Sequence, residues 1–111
     1  MKTILLLLLM SCCLQPLEAS QIGMASWYGK ENKKSATGKP LHKKQPALAH
    51  KTLPFGTWVK ITSLRTKKQV IAVVEDRGPF TKGRIADLNF LAAKELGIIK
   101  DGVTRITLEV L

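Results

Sequence analysis

Residues 57–64 alternate, with Trp58, Lys60 and Thr62 on one side and Val59, Ile61 and Ser63 on the other, the period of a strand that buries one face. Residues 69–74 are rich in β-branched side chains, and the turn around Thr66, Lys67 and Lys68 joins these two strands. Residues 104–111 alternate again, Ile106, Leu108 and Val110 against Thr107 and Glu109, and predict a final strand. Near the other end, residues 24–28 are short and aromatic and are closed by Gly29, a first strand with Trp27 and Tyr28 on opposite faces and one ring entering the core. The period becomes helical once. Residues 87–97 open with acid and amide residues suited to capping, continue with good helix formers and stop at Gly97. Leu88, Leu91, Ala92 and Glu95 fall near one face of that helix and Leu96 extends the apolar stripe, which predicts a helix plugging one end of the sheet. Residues 30–46 are polar and lysine-rich and carry Gly38-Lys39-Pro40, the composition of a surface loop of the kind that frames clefts.

At 111 residues the chain has room for one domain, near the lower limit for a self-sufficient core. So few residues cannot shield open sheet edges, and the pattern therefore predicts a mostly β domain, a closed barrel with one short helix. Residues 1–19 differ in kind. Lys2 precedes an almost unbroken run of leucine from Ile4 to Met10, too brief to span a bilayer and organised as a secretory signal. Residues 20–111 would be the mature domain. Two processing sites are open: Leu17-Glu18-Ala19 before Ser20, and a lipoprotein-type site before Cys12, which would then carry a lipid anchor and tie the domain to a membrane. Both readings predict export, to the periplasm or cell envelope, as an outer-membrane lipoprotein or a released protein. The 2 cysteines, Cys12 and Cys13, lie in this leader, so no disulfide can staple the domain.

Charge narrows the partners. The formal net charge is +10, from 18 Lys and Arg against 8 Asp and Glu, and such a surface attracts polyanions: nucleic acid, lipopolysaccharide phosphate, or the carboxylates of cell-wall peptides. Export favours the last two. The basic residues show no heptad, zinc spacing or aromatic-glycine RNA signature, and nucleic acid is not the expected partner.

Chemistry enters at Val73-Val74-Glu75-Asp76-Arg77-Gly78-Pro79-Phe80, where an apolar strand runs into an acid and then a forced turn. Strand alternation places Asp76 with Val74, Ala72 and Val70, and Glu75 on the opposite face with Val73 and Ile71. A carboxyl withdrawn from water favours its neutral form, the form a general acid needs, so Asp76 is the candidate proton donor. The competing role for Asp76 is to bind amides of the following turn or to pair with Arg77. His50 precedes the turn-rich Lys51-Thr52-Leu53-Pro54-Phe55-Gly56, where an imidazole could either serve the acid or simply hold its loop together. Arg77 and Arg84 could hold substrate oxygens or pair with Asp87. Trp27, Tyr28, Trp58 and Phe80 are aromatic platforms for sugar faces or, more ordinarily, core. His42, His50 and Asp76 form no metal-ligand pattern, and neither metal nor other cofactor is expected.

Taken with Gly23-Met24-Ala25-Ser26-Trp27-Tyr28-Gly29, Ser35-Ala36-Thr37-Gly38, Ala49-His50-Lys51-Thr52-Leu53-Pro54 and Arg84-Ile85-Ala86-Asp87-Leu88, this segment resembles the rare lipoprotein A family over residues 23–111. The resemblance implies a six-stranded double-psi β-barrel, a fold shared with expansins. It also implies an endolytic peptidoglycan lytic transglycosylase, which cleaves MurNAc-GlcNAc strands and leaves 1,6-anhydro-MurNAc ends. Asp76 would be its acid and base and His50 the assistant, with Lys39, Arg77, Ser35, Thr37 and Tyr28 lining the groove of a monomer. One position departs from the family. Where relatives present an active-site glutamate, this chain has Lys39. The alternative is a non-catalytic, expansin-like module that grips glycan strands by charge and stacking.

Overall fold

Six strands and one helix form among residues 20–28 and 45–111, which are the residues the computed structural model describes. They are β1 (Ser20–Trp27), β2 (Ala47–His50), β3 (Trp58–Ser63), β4 (Gln69–Arg77), β5 (Arg84–Leu88), α1 (Phe90–Leu96) and β6 (Val103–Val110). The leader with Cys12, and Ser35, Thr37 and Lys39, lie outside the described residues.

The strands close into a barrel in the order β1-β5-β2-β4-β3-β6. Two pairs, β1 with β5 and β2 with β4, are parallel, and the other four are antiparallel. Parallel partners cannot be joined by a tight hairpin, so the chain must cross the barrel between them, giving the interlaced connections expected of this small closed fold. Alternation works as read in β3 and β6: Val59, Ile61 and Ser63 face inward, as do Thr104, Ile106 and Leu108. With Leu48, Val74 and Leu88 they build a core whose larger aliphatic members are fully buried, each contributing about 1.5–3 kcal/mol of transfer free energy.

The helix is shorter than expected. Asp87 and Leu88 finish β5, Asn89 takes the cap position, and α1 ends at Gly97 in the left-handed conformation at φ 72°. Consequently the buried face is Ala92, Ala93 and Leu96, while Glu95 is exposed. β1 and β5 run so close that a methyl group at Gly23 would stand 2.7 Å from Ile85 Cγ2, which explains a glycine within a strand. Of the two rings at the end of β1, Trp27 joins the core, edge-on to Phe90 with centroids 5.8 Å apart and its indole nitrogen donating to the Ile99 carbonyl.

Candidate active site

Strand register builds the site. Ser26 of β1 is paired with Asp87 of β5, Asp87 with Ala49 of β2, and Ala49 with Asp76 of β4. One row crossing four strands therefore sets two carboxylates either side of an alanine, with backbones roughly 10 Å apart at ordinary strand spacing. The small side chain of Ala49 leaves the space between them unfilled by its own strand.

Between Leu48 and Ala49 the register of β2 against β4 shifts, so that Leu48 faces Val74 and Ala49 faces Asp76, with Glu75 as the extra residue. This bulge corrects the simple alternation. Glu75 is not carried outward with the exposed Ile71; it is buried at 7% exposure, while Asp76 is partly exposed. Both acids thus belong to the site. Asp76 Oδ1 accepts from the Arg77 backbone N–H at 2.9 Å, which fixes the carboxyl at the start of the Gly78-Pro79 turn. Phe80 follows that turn, 82% exposed, its ring 3.5 Å from where a side chain at Gly78 would begin.

His50 ends β2 opposite Arg77 and is buried, but its ring nitrogens are committed elsewhere than to Asp76. The backbone N–H groups of Thr52 and Leu53 both donate to Nδ1 at 3.1 Å, so Nδ1 carries no proton. The proton is on Nε2, which donates to the Gln21 side-chain oxygen at 3.1 Å. Burial, then the charges of Arg77 and Lys51, lower its pKa below the ordinary 6.5. A neutral His50 is a loop anchor one residue along the strand from the acid row. This carries a pH dependence: the folded pKa lies below the unfolded one, so stability is complete above pH 6.5 and declines as pH falls toward the folded value. Urea midpoints of the wild type should fall as the pH is lowered below 6.5, and His50→Asn, although less stable, should lack this fall.

Arg77 is also an anchor. Its Nη1 donates to the carbonyls of His50 and Leu53, both at 2.8 Å, and its guanidinium lies over the Phe55 ring at 4.1 Å. The arginine thereby ties residues 50–55 to the strand that holds Asp76. Arg84 reaches Asp87 Oδ1 at 3.7 Å, one of the two contacts the sequence left open to it, and donates to Ser26 Oγ, which in turn donates to Asp87.

Tyr28 closes the row from the end of β1, its backbone N–H donating to the Leu88 carbonyl at 2.9 Å. Among the described residues, its hydroxyl is buried without a hydrogen-bond partner. Burial, then the charges of Glu75, Asp76 and Asp87, push its pKa far above the ordinary 10.0, and the phenol is neutral at any physiological pH. The sequence marked Tyr28 but not the depth of its hydroxyl, and neither Gln21 nor the inward turn of Glu75 carries a sequence signal. Among the described residues, no three His, Asp or Glu side chains are grouped to hold a metal, and no helix is long and apolar enough to cross a membrane. A hollow of about 480 Å³ beside the first half of β4, lined by Pro46, Lys60 and Glu95 among others, has none of these acids.

Residues 20–108 match the family described as Lytic transglycolase. A probable endolytic peptidoglycan transglycosylase RlpA of Synechocystis is 43% identical over 79% of this chain, and the RlpA transglycosylase of Pasteurella multocida is 43% identical over 80%. The chain spans 28% and 31% of the length of those two relatives. Among solved structures, a Clavibacter michiganensis expansin in complex with cellohexaose superposes with a TM-score of 0.68 at 17% identity, covering 83% of this chain and 50% of the expansin. The Streptomyces papain inhibitor does so at 0.66 and 21%, covering 83% of this chain and 94% of the inhibitor. These two likenesses speak to fold, a barrel of the double-psi kind. The sequence match over residues 20–108 speaks to descent, and the chain belongs to the lytic transglycolase family, with the RlpA proteins as its relatives.

Proposed function

We propose that this domain is a peptidoglycan lytic transglycosylase of the cell envelope, with Asp76 as its single acid and base. The observation that carries the reading is the strand row that sets Asp76 at a turn, across Ala49 from Asp87 and close to the buried Tyr28 hydroxyl. In the first step Asp76 donates its proton to the oxygen bridging MurNAc to GlcNAc, and the C1–O bond breaks with its electron pair on the departing sugar. In the second, the Asp76 carboxylate takes the proton of the MurNAc C6 hydroxyl while that oxygen bonds to C1. The acid is regenerated, no water is consumed, and the product is a 1,6-anhydro end. A second carboxylate acting on water, which ordinary glycosidases need, is not required.

His50 and Arg77 act as positioning residues, holding loop 50–55 against the strand of the acid. Phe80 offers an exposed ring next to the turn for a sugar face, and Lys39, Ser35 and Thr37 would line the groove. The net charge of +10 favours an anionic polymer such as peptidoglycan, and residues 1–19, read as a secretory signal, would export the domain, released if cut before Ser20 and lipid-anchored if processed before Cys12. Mass spectrometry of purified, peptide-free glycan strands after digestion tests the reading, with 1,6-anhydro ends expected. Glycan binding without product would instead favour an expansin-like module, to which Lys39 and the fold likeness lend support. Lys39→Glu separates the two further: it should raise turnover several-fold in an enzyme and change nothing in a binder.

A further inference from the structure

Two large apolar side chains stand outside the barrel on neighbouring strands: Trp58 and Ile71, each 44% exposed. Trp58 pairs with Val73 and Lys60 with Ile71, so the indole and the isoleucine are diagonal neighbours on one outer face, with Lys60 beside both. A single exposed apolar residue means little, whereas a ring and a branched chain side by side make a patch. This patch opens on the hollow of about 480 Å³ beside the first half of β4, whose lining includes Ile71, Lys60, Gln69 and Glu95. In the other direction it leads to the acid. Gly56 N–H donates to the Val74 carbonyl at 2.8 Å and Val74 N–H to the Thr57 carbonyl at 2.9 Å, so the loop before β3 stays alongside β4. It brings the exposed Phe55 abreast of the acid end of that strand, where the Arg77 guanidinium lies over the ring. Phe55, Trp58 and Ile71 therefore follow β4 in order from Asp76 to the hollow. The strand from Ile71 to Asp76 is roughly 17 Å long at ordinary rise, a span for a polymer and not for one ring.

The chemistry of the patch selects its occupant. Although the chain carries a formal net charge of +10, Lys60 here faces Glu95 in the hollow and Glu109 at 3.8 Å, so the patch does not draw a polyanion. An indole and an aliphatic chain suit the apolar face of a sugar. Ammonium, amide and carboxylate standing together suit groups that both give and accept hydrogen bonds, as hydroxyls and acetamides do. We propose that the outer face of β3 and β4, with Trp58 and Ile71 as its contacts, is a second glycan site that holds the N-acetylated sugar backbone away from the acid. It rests on the transglycosylase reading for the polymer that passes Asp76, and its own contacts are independent of cleavage.

The probe is a hexamer of β-1,4-linked N-acetylglucosamine, a neutral strand with the same acetamido groups. Trp27 is packed against Phe90 and the core, so a change in tryptophan emission during titration reports Trp58. The hexamer should shift that emission at low salt and equally at about 1 M salt, where charges act over only roughly 3 Å. In Trp58→Ala the shift should vanish and the calorimetric Kd should rise roughly ten-fold. Ile71→Thr keeps the indole and a β-branched strand residue, and should raise the Kd roughly three- to five-fold. On peptide-free strands, the preference in kcat/KM for long strands over a tetrasaccharide should shrink in both variants. A Kd unchanged in both, binding lost at high salt, or a wild-type dimer that dissociates in Trp58→Ala would each overturn the second site and leave the lyase reading standing. Hexamer binding that depends on Trp58 in a protein releasing no anhydro ends would support the second site and overturn the lyase reading instead.

Discussion

Asp76→Asn is expected to abolish release of 1,6-anhydro ends, lowering turnover by roughly 10²–10⁴-fold, the usual worth of a positioned general acid or base. The amide has nearly the shape of the carboxyl and keeps an oxygen to accept the Arg77 backbone N–H, so the turn at Gly78-Pro79 should hold and the melting temperature should change little. What it cannot do is give a proton to the bridging oxygen and take one back from the C6 hydroxyl. Product analysis on denuded strands, paired with a circular dichroism melt, reads both halves of the expectation. Glu75→Gln is the necessary companion, because the bulge buries Glu75 more deeply than Asp76 and leaves both acids near Tyr28. If product survives in Asp76→Asn and vanishes in Glu75→Gln, the proton carrier is the neighbour, and the assignment to Asp76 is wrong.

That ambiguity shows where sequence reasoning stops. Alternation locates β3 and β6 because each has one buried and one exposed face; β4, buried without a break from Ala72 to Glu75, is located by its β-branched composition, and the acid followed by Gly78-Pro79 marks its end by residue type alone. It cannot find β2, whose four residues are all buried and therefore show no period, nor β5, whose Asp87 and Leu88 read equally well as the start of a helix. A bulge is likewise invisible to a period-two count, since the count assumes that no residue is extra. The row Ser26, Asp87, Ala49, Asp76 depends on β2, on β5 and on the bulge together. Its residues are legible one by one; their convergence depends on pairings between segments as many as 61 residues apart, such as Ser26 with Asp87.

The histidine is a related case. Sequence position offers His50 either as assistant to the acid or as the centre of its own loop, and the hydrogen bonds to its ring are those of the second. Two amides converging on Nδ1 demand a lone pair there, so the ring is held neutral and its remaining proton goes to Gln21 on β1. Proton exchange with Asp76 would require breaking that contact. The imidazole instead fixes the loop that Arg77 clamps from the other side.

The largest expected loss of stability comes from a residue with no part in the chemistry. Asn89→Ala should destabilise the domain by about 2–4 kcal/mol, combining the loss of a helix cap with the stranding of buried backbone groups. Asn89 is 4% exposed, and among the described residues its amide serves three partners: Oδ1 accepts from Ala92 N–H at 2.9 Å and from Ala47 N–H at 3.1 Å, while Nδ2 donates to the Gln45 carbonyl at 2.8 Å. The first bond starts α1, and the other two fasten the entry to β2, the strand that carries Ala49 and His50 into the site. Asn89→Asp keeps the two accepting contacts but cannot donate to Gln45, and should lose less in a urea titration than the alanine variant. If the two variants are equally unstable, the amide donor to Gln45 is the essential contact. If neither is destabilised, helix and strand are held by the core alone. Activity offers a second measure: an unfastened β2 moves Ala49 relative to Asp76, so Asn89→Ala should lose turnover even at temperatures where it remains folded.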